Sequence, residues 1–350
     1  MKPSNVIVVG AAHYCNWTKN FGATFSRMGY PVEIVYNNSL PAPLGGSSEG
    51  VTNIFERSKR IFTKISPGAF RVMKQWRKRL SEREILLRLR RVKAGEGTLI
   101  AFVWTPGSEW VLKKIREEWP GAHIALWLGE PPIRDASWPA TFKYFDQLYI
   151  VDDGLWLEGV QPTMKEKFKL LPLSSDDAVF HRVDNVPEKY RCEVSFVGRY
   201  IPVRARALEA LKHLDLKIFG YGWEEGFEEY PWLKEKYKGP LSGEEVNLVY
   251  NGSKVVVGTL EPKDPYTTAT QRTFDIALTG TLQVAEDVYL VKKLFGDSAI
   301  KFKSDKELGP LIERSLSNEK DREERAARSY TIGLKYTYAE AARKMIEAFK

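Results

Sequence analysis

Short apolar segments alternate with amphipathic helical segments along most of the 350-residue chain, and this alternation constrains the fold more than any other feature. Alternating strands and helices form a parallel sheet with helices on both faces. In the first half, the predicted strands are Asn5–Val9, Val32–Tyr36, Thr98–Val103, His123–Leu128 and Gln147–Val151. After the polar stretch HRVDNVPEKYRCE they are Glu193–Val197, Leu216–Phe219, Ser253–Val257, Leu282–Ala285 and Ala299–Phe302. The sequence therefore predicts an α/β fold with two Rossmann-like domains.

The length also predicts two domains, since single hydrophobic cores rarely grow beyond about 250–300 residues. Hydrophobic residues make up 43% of the chain, which is enough for two buried cores. No apolar run approaches the roughly 18 residues of a membrane span. Cys15 and Cys192 are far apart and show no metal-ligand spacing, so we expect a reducing, cytoplasmic location.

Positive charge is concentrated between Val51 and Gly95, where 14 Lys and Arg residues stand against 3 Glu residues in a chain of net charge +8. A Leu-rich basic helix with Trp76, Arg77 and Lys78 suits an anionic membrane surface or an acidic acceptor. It equally suits a helix that covers the sheet, with its arginines extending to solvent. Nucleic acid is the least favoured partner, because it would leave the two α/β domains without a role.

Loops that follow strands of the second half are candidate ligand sites, because ligands bind beyond the carboxyl ends of parallel strands. In SFVGRYIPVR a strand ends at Gly198, followed by Arg199 and by a helix that begins near Arg204. A glycine permits close backbone approach, and the arginines add charge-assisted bonds to a phosphate. The alternative is a strand–helix turn with solvated arginines. Neither GxxxxGK[ST] nor GxGxxG occurs, so we predict no nicotinamide or flavin cofactor.

Two further loops have the composition of a pocket wall. KIFGYGW places Gly220 and Tyr221 directly after a predicted strand, where they either line a ligand or form a turn beneath packed aromatics. The loop KGPLSGEE contains Gly239 and Leu241, which precede a capping-box pattern. This loop is structural on that pattern alone, but its backbone groups could also contact a base ring.

The segment QRTFDIALTG predicts a short helix that begins with Arg272 and Asp275 and ends at Gly280. A carboxylate near a helix N-terminus is favoured by the helix dipole, so capping alone explains Asp275. A polar helix start that faces a ligand would explain Arg272 as well. Taken alone, the segment favours the capping interpretation.

The phrases SFVGRYIPVR, IFGYGW, KGPLSGEEVNLVYNGSKVVV, QRTFDIALTGTLQVAED, LFGDSAIKFKSDKEL and KYTYAEAARKM follow one another in this order. Their order and spacing resemble the C-terminal half of the CgeB-like (spore maturation protein B-like) glycosyltransferases. In the first half, WLGEPP, YFDQLYIVDD and LLPLSSDDAVF also fit this family. The resemblance extends from about residue 98 to residue 349.

The resemblance implies the GT-B architecture, in which two Rossmann-like domains face each other across a cleft and a C-terminal helix crosses back to the first domain. We expect an N-terminal acceptor domain over 1–172, with a basic helical insertion at 51–95. A nucleotide-sugar domain then occupies 173–335, and the returning helix occupies 336–350. The implied enzyme moves a sugar from a nucleotide diphosphate, with UDP favoured, to a glycan, lipid-linked or protein acceptor.

The resemblance also implies roles for single residues. Gly198 and Arg199 match a Gly-rich loop near the diphosphate, and Arg272 matches the Arg of an R-x-F-E phrase that faces the phosphates or the sugar. Asp275 stands in place of the Glu of that phrase, which accepts hydrogen bonds from ribose hydroxyls in related retaining enzymes. Together with Arg204, the arginines would stabilise the leaving diphosphate.

Other matched positions are less regular. Gly280 and Thr281 correspond to a turn close to the nucleotide. Thr267 stands where related retaining enzymes have a Glu that contacts the donor sugar, and KYTY replaces a late H-T-Y phrase. These departures make a divergent or inactive member conceivable. The alternative function is therefore a non-catalytic protein that binds a nucleotide sugar or a polyanion.

Candidate acceptor residues come from loops of the first half. His13 follows the first strand and is a candidate general base, although a histidine packed beneath a loop is the plainer interpretation. Glu130 ends a strand before two prolines and is a second candidate for acceptor binding or proton transfer. Trp104 follows another strand and is a candidate for lining the acceptor path. The aspartate pairs at 152–153 and 176–177 are typical of turns, and we predict a metal-independent reaction.

Overall fold

The computed structural model describes residues 2–11, 16–36, 79–80, 82–258 and 268–349. It contains two compact units. Unit 1 comprises Met1–Leu171 together with Ala342–Lys350, and unit 2 comprises Pro172–Ala341. No helix among the described residues is both long and apolar enough to cross a membrane.

Six strands form one parallel sheet in the described part of unit 1, in the order β2–β1–β3–β4–β5–β6. They are β1 Asn5–Gly10, β2 Val32–Tyr36, β3 Thr98–Trp104, β4 His123–Leu128, β5 Gln147–Ile150 and β6 Phe168–Leu170. The three-residue β6 was not predicted, because so short an apolar run has no recognisable period. The strand order reverses between β1 and β3, and such a reversal opens a crevice at the carboxyl ends of the two strands.

Helices cover the sheet of unit 1. They are α1 Trp17–Arg27, α2 Glu109–Glu118 and α3 Pro162–Lys165. Residues 82–91 are also helical, and Ile85, Leu86 and Leu89 are buried in the core of unit 1 while Leu87 is exposed. Over these residues the basic segment therefore covers the sheet, as one of the two interpretations of the sequence predicts. Most of the remaining segment, including Trp76, Arg77 and Lys78, lies outside the described residues.

The C-terminal residues Ala342–Lys350 belong to unit 1 and contact its sheet through a polar network. The side-chain amide of Gln147 donates to the backbone carbonyl of Met345 (3.4 Å), and the Tyr149 hydroxyl donates to that of Lys344 (3.2 Å). The ring of Phe349 packs 5.2 Å from His123. These contacts satisfy buried polar groups of β4 and β5 with the last residues of the chain.

Unit 2 repeats the same architecture with five parallel strands in the order β11–β10–β9–β7–β8 among its described residues. The strands are β7 Cys192–Val197, β8 Leu216–Phe219, β9 Ser253–Val257, β10 Leu282–Glu286 and β11 Ile300–Phe302. The helices are α4 Pro202–Leu208, α5 Leu233–Lys236, α6 Gly243–Gly252, α7 Gln271–Thr279, α8 Tyr289–Phe295, α9 Asp305–Ser317 and α10 Glu319–Gly333. The last helix, α11 Tyr338–Glu347, begins in unit 2 and ends in unit 1. The order reverses between β7 and β9, so this sheet too has a switch point. The α/β fold with two parallel-sheet domains is confirmed.

Three glycines bring the loops after β7 and β8 into close contact. The N–H of Gly198 donates to the carbonyl of Phe219 (2.9 Å), and the N–H of Gly220 donates to that of Gly239 (3.0 Å). Gly220 has a φ of +130°, and a Cβ on it would collide with the backbone carbonyl of Gly198. Because two backbones meet here, the contact leaves no space for any side chain at position 220.

Replacing Gly220 with Ala is expected to destabilise unit 2 far more than replacing Gly239 with Ala. Both glycines have positive φ, and Ala at such a position costs about 1–2 kcal/mol. A Cβ on Gly239 meets no atom within 4 Å, whereas one on Gly220 meets backbone. That overpacking adds about 1–3 kcal/mol for Gly220→Ala. Urea denaturation would measure both, and equal losses of stability would contradict the steric explanation.

Candidate functional site

The switch point of unit 2 collects most of the residues that the sequence nominates for donor binding. Gly198 directly follows β7 and Gly258 directly follows β9, the two neighbouring strands between which the order reverses. A ligand placed here would contact the loops that follow both strands.

The side chain of Arg272 spans this switch point. Its Nη1 donates to the carbonyl oxygen of Gly258 (2.7 Å), and its Nη2 lies against Gly198, where a Cβ would come within 3.1 Å of it. No carboxylate among the described residues comes within ion-pair distance of this guanidinium. Arg272 therefore carries a positive charge that no carboxylate among the described residues neutralises in a direct ion pair, although Tyr250 and Asp275 lie close enough to interact with it.

A second arginine shares an aromatic neighbour with Arg272. The guanidinium carbons of Arg204 and Arg272 lie 5.6 Å and 5.4 Å from the ring centroid of Phe196. Arg204 is 3% exposed and donates to the backbone carbonyl of Arg199 (2.8 Å), whose own side chain is exposed. Two cations held near one ring produce a local positive potential that favours an anionic ligand.

Asp275 lies one turn along α7 from Arg272 and is 8% exposed. Its Oδ1 accepts a hydrogen bond from the Ser175 hydroxyl (2.7 Å). Burial raises the pKa of Asp275 to about 7, and the hydrogen bond from Ser175 and the charge of Arg272 oppose that rise. The carboxyl group is thus poised to change its charge near neutral pH.

Ser175 is held in place by the KYTY segment near the end of the chain. Its N–H donates to the carbonyl of Tyr336 (3.0 Å), and its own carbonyl accepts from the N–H of Tyr338 (3.0 Å). Ser175 itself is fully buried. The KYTY phrase therefore positions the hydroxyl group that binds Asp275.

Four residues of this site were missed by the sequence analysis: Ser175, Phe196, Tyr250 and Gly258. Tyr250 is buried close to Arg272 and Asp275; burial raises its pKa, and Arg272 opposes this. None of the four stands in a phrase with a chemical signal of its own. Their roles arise only from contacts between segments that are distant in the chain.

The remaining donor-site candidates of the second half lie nearby or on the opposite edge. Tyr221 follows β8 with its side chain 63% exposed, and Leu241 packs against the cluster that contains Tyr250. Gly280 and Thr281 follow the far end of α7, and the Thr281 hydroxyl donates to the carbonyl of Tyr250 just before β9 begins (2.8 Å). They lie at the amino edge of the parallel sheet, so the structure does not place them with Arg272. The segment with Thr267 is outside the described residues.

Aromatic side chains lie at the edge of the unit 1 sheet where its strands have their carboxyl ends. Trp104 ends β3 with a φ of +82°, a strained conformation for a bulky residue. Its ring stacks on Trp17 with centroids 3.6 Å apart, and its carbonyl accepts from the N–H of Gly129 (3.0 Å). The neighbouring Glu130 forms an ion pair with Arg134 (3.0 Å). Trp104 and Glu130 thus share one edge, while His13 lies outside the described residues.

The aspartates set aside as turn residues are found in turns. Asp152 accepts a hydrogen bond from the N–H of Gly154 (2.7 Å), and Asp176 accepts one from that of Ala178 (3.2 Å). The described residues contain no group of three or more His, Cys, Asp and Glu side chains arranged to hold a metal ion. Metal independence remains a prediction.

Comparison with solved structures identifies the fold. The chain is similar to a glycosyltransferase from Rickettsia africae ESF-5 (11% identity, TM-score 0.66, covering 99% of this chain and 98% of that one). It is also similar to sucrose-phosphate synthase from Thermosynechococcus elongatus (12%, 0.65, 99% and 98%). The chain has the GT-B fold. Anabaena HepE, solved in complex with UDP-glucose, is a further neighbour (10%, 0.59, 98% and 98%).

At the level of sequence, residues 204–347 match the family model described as glycosyl transferase-like. This match covers most of unit 2, including Arg204, Arg272 and Asp275. No curated protein sequence matches the chain significantly. The family match and the fold together support a glycosyltransferase, whereas the CgeB-like subfamily remains a prediction.

Asp275→Asn is expected to stabilise the protein increasingly as pH rises from 5 to 8. The folded-state pKa of about 7 lies above the ordinary value of 3.8, so the folded state binds a proton that the unfolded state has released. Stability is therefore lost as pH rises through this interval. Asn keeps an acceptor for Ser175 and never ionises, so the gain approaches at most about 4 kcal/mol, at about 1.4 kcal/mol per pKa unit.

Urea denaturation at several pH values would measure this difference. Asp177→Asn removes an exposed carboxylate from the loop that holds Ser175, and it controls for the change in net charge. A difference between wild type and Asp275→Asn that stays constant from pH 5 to pH 8 would show that burial does not govern this carboxyl group.

Proposed function

We propose that this protein is a CgeB-like glycosyltransferase of the hexosyltransferase type, which transfers a sugar from a nucleotide diphosphate to an acceptor bound by unit 1. UDP is the favoured nucleotide. The reaction is proposed to need no metal ion and no cofactor, and the enzyme to act in the cytoplasm. The acceptor class is a glycan, a lipid-linked saccharide or a protein.

The arrangement of Arg272 is the observation that carries this proposal. A guanidinium with no carboxylate partner among the described residues lies across the switch point, where a parallel sheet binds its ligands. A planar guanidinium is suited to bidentate recognition of phosphate. A GT-B neighbour bound to UDP-glucose and the match of unit 2 to a glycosyltransferase model favour a nucleotide sugar over other phosphorylated ligands.

The contacts of the glycines refine their proposed role. The N–H groups of Gly198 and Gly220 are already bonded to the carbonyls of Phe219 and Gly239, so they do not serve as phosphate donors. The absence of a side chain at Gly198 leaves room for the Arg272 guanidinium, which a side chain there would crowd. Phosphate binding then falls to the side chains of Arg272 and Arg204.

During transfer, negative charge develops on the leaving diphosphate. Arg272 and Arg204 are proposed to stabilise that charge, since donors fixed in advance need no reorganisation at the moment of reaction. Asp275 is proposed to accept hydrogen bonds from the ribose hydroxyls in its ionised form. Donors from the ligand would lower its pKa, so donor binding and ionisation of Asp275 would support each other.

Unit 1 is proposed to supply the group that receives the acceptor proton. Glu130 is the described candidate, at the same sheet edge as Trp104, and its ion pair with Arg134 orients the carboxylate. His13 is the second candidate. The basic segment 51–95 is proposed to contact an anionic membrane surface, with exposed Leu80 and Leu87 adding apolar contact.

The wild-type protein is expected to bind a nucleotide, and Arg272→Gln is expected to abolish that binding. The measurement is a thermal-shift screen with UDP, GDP, dTDP, ADP and CMP and their common sugar conjugates. A ligand that binds only the folded state raises the melting temperature by mass action. At a ligand concentration a hundredfold above Kd, the free energy of unfolding rises by about 2.7 kcal/mol. Arg272→Lys retains the charge without the planar fork and is expected to restore binding in part.

Arg206→Gln is a matched control, because it removes an exposed arginine of unit 2 that is paired with Asp305. It is expected to leave nucleotide binding unchanged. The nucleotide sugar that binds is then tested for slow hydrolysis. Binding without turnover, with or without an acceptor, would favour the non-catalytic binder, and no binding at millimolar concentration would remove the donor-site proposal.

A further inference from the structure

A second polar cavity lies in unit 2 at the amino edge of its sheet. Its volume is about 380 Å³, and it is lined by Ser253 and Lys254 at the start of β9, by Thr279 to Leu282 between α7 and β10, and by Arg182, Arg322 and Glu323. This volume lies in the lower part of the range of small-molecule sites, about 300–1,000 Å³. The donor-site residues Arg272 and Asp275 belong to the opposite end of α7.

Arg182 is held in a defined position in this cavity. Its guanidinium carbon lies 3.8 Å from the ring centroid of Tyr330, a cation–π contact. Its other side lies against Gly280, where a Cβ would come within 2.5 Å of Nε. Within the described part of the chain, its N–H groups meet neither a carboxylate nor any other hydrogen-bond acceptor. The guanidinium is therefore fixed in position, with its donors available.

The other charged groups of the cavity are already engaged or exposed. Lys254 forms an ion pair with Glu193 (3.5 Å), and Arg322 donates to the backbone carbonyls of Ser315 (3.1 Å) and Leu316 (3.2 Å). Glu323 is exposed and is the carboxylate of the lining. Arg322 also forms an ion pair with Glu319 (3.2 Å), so Arg182 is the cation of the lining that has no carboxylate partner among the described residues.

We propose that this cavity is an anion site that binds a phosphate group, free or carried by a small molecule, through bidentate hydrogen bonds from Arg182. A planar guanidinium with free donors matches the geometry of phosphate oxygens. Stacking on Tyr330 and the contact with Gly280 prepare the side chain before binding, which lowers the ordering cost. The hydroxyl groups of Thr279 and Thr281 donate to backbone carbonyls, so toward a ligand in this cavity they act as acceptors.

This site is distinct from the donor site of unit 2. Gly280 and Arg272 lie at opposite ends of α7, and a helix of nine residues is roughly 13 Å long. A ligand at Arg182 would therefore bind together with a nucleotide rather than compete with it. The binding proposal does not depend on any transferase activity.

Isothermal titration of the full-length protein with inorganic phosphate, glucose 6-phosphate and glucose tests this proposal. At least one phosphate probe is expected to bind and glucose is not. Arg182→Gln is expected to weaken binding about tenfold or more, since it removes a charge-assisted pair. Glu323→Gln is expected to strengthen binding, because it removes the one like charge of the lining.

Arg206→Gln is the matched control, since it removes another exposed arginine of unit 2, one that pairs with Asp305 outside the cavity. It is expected to leave phosphate binding unchanged. If glucose 6-phosphate binds more tightly than inorganic phosphate, the ligand of the cavity is a phosphorylated small molecule. If the two bind equally, the ligand is the phosphate ion itself.

Two outcomes would overturn the proposal. The first is that neither phosphate probe binds at millimolar concentration. The second is that Arg182→Gln binds as wild type does while Arg272→Gln does not, which would place the phosphate at the donor site. Loss of nucleotide binding in Arg272→Gln with phosphate binding intact would support both sites independently.

Discussion

The central interaction of unit 2 is the contact of the Arg272 guanidinium with the loops after β7 and β9, between which the strand order reverses. Arg272 reaches this place because α7 begins just after the loop that follows β9, and because Gly198 presents no side chain to it. Its neighbours are the carbonyl of Gly258, the ring of Phe196, Tyr250 and the carboxyl group of Asp275, and no carboxylate among the described residues forms a direct ion pair with it. Gly198 in the loop after β7 and the buried Asp275 both lie next to this cation, and the proposed donor site is built around it.

The two sheets share a strand order with one reversal, but the residues at the carboxyl ends of their strands differ. In unit 2 the switch point has the two arginines Arg204 and Arg272 and a buried carboxyl group. In unit 1 the corresponding edge has a strained, stacked Trp104 and the carboxylate of Glu130. Backbone strain at Trp104 is retained because stacking on Trp17 and packing against Gly129 outweigh it. The same sheet topology thus carries two kinds of recognition chemistry.

Helix α7 has a different task at each end. Its first turn presents Arg272 and Asp275 to the carboxyl edge of the sheet, where the helix dipole and the proposed donor meet. Its last residue is followed by Gly280, whose left-handed conformation ends the helix and gives Arg182 room beside Tyr330. One segment of ten residues therefore connects the proposed donor site with the cavity that contains Arg182.

The sequence by itself determined the alternation of strands and helices, because burial on both faces of a parallel sheet requires apolar runs with regular spacing. Arg272 and Asp275 became site candidates through the family resemblance, since the helix start taken alone favoured capping. Only the tertiary structure decided that Ser175 bonds to Asp275 and that Gly280 lies on the far edge of the sheet. Such pairings are set by strand order and helix direction, which no local pattern of residues encodes.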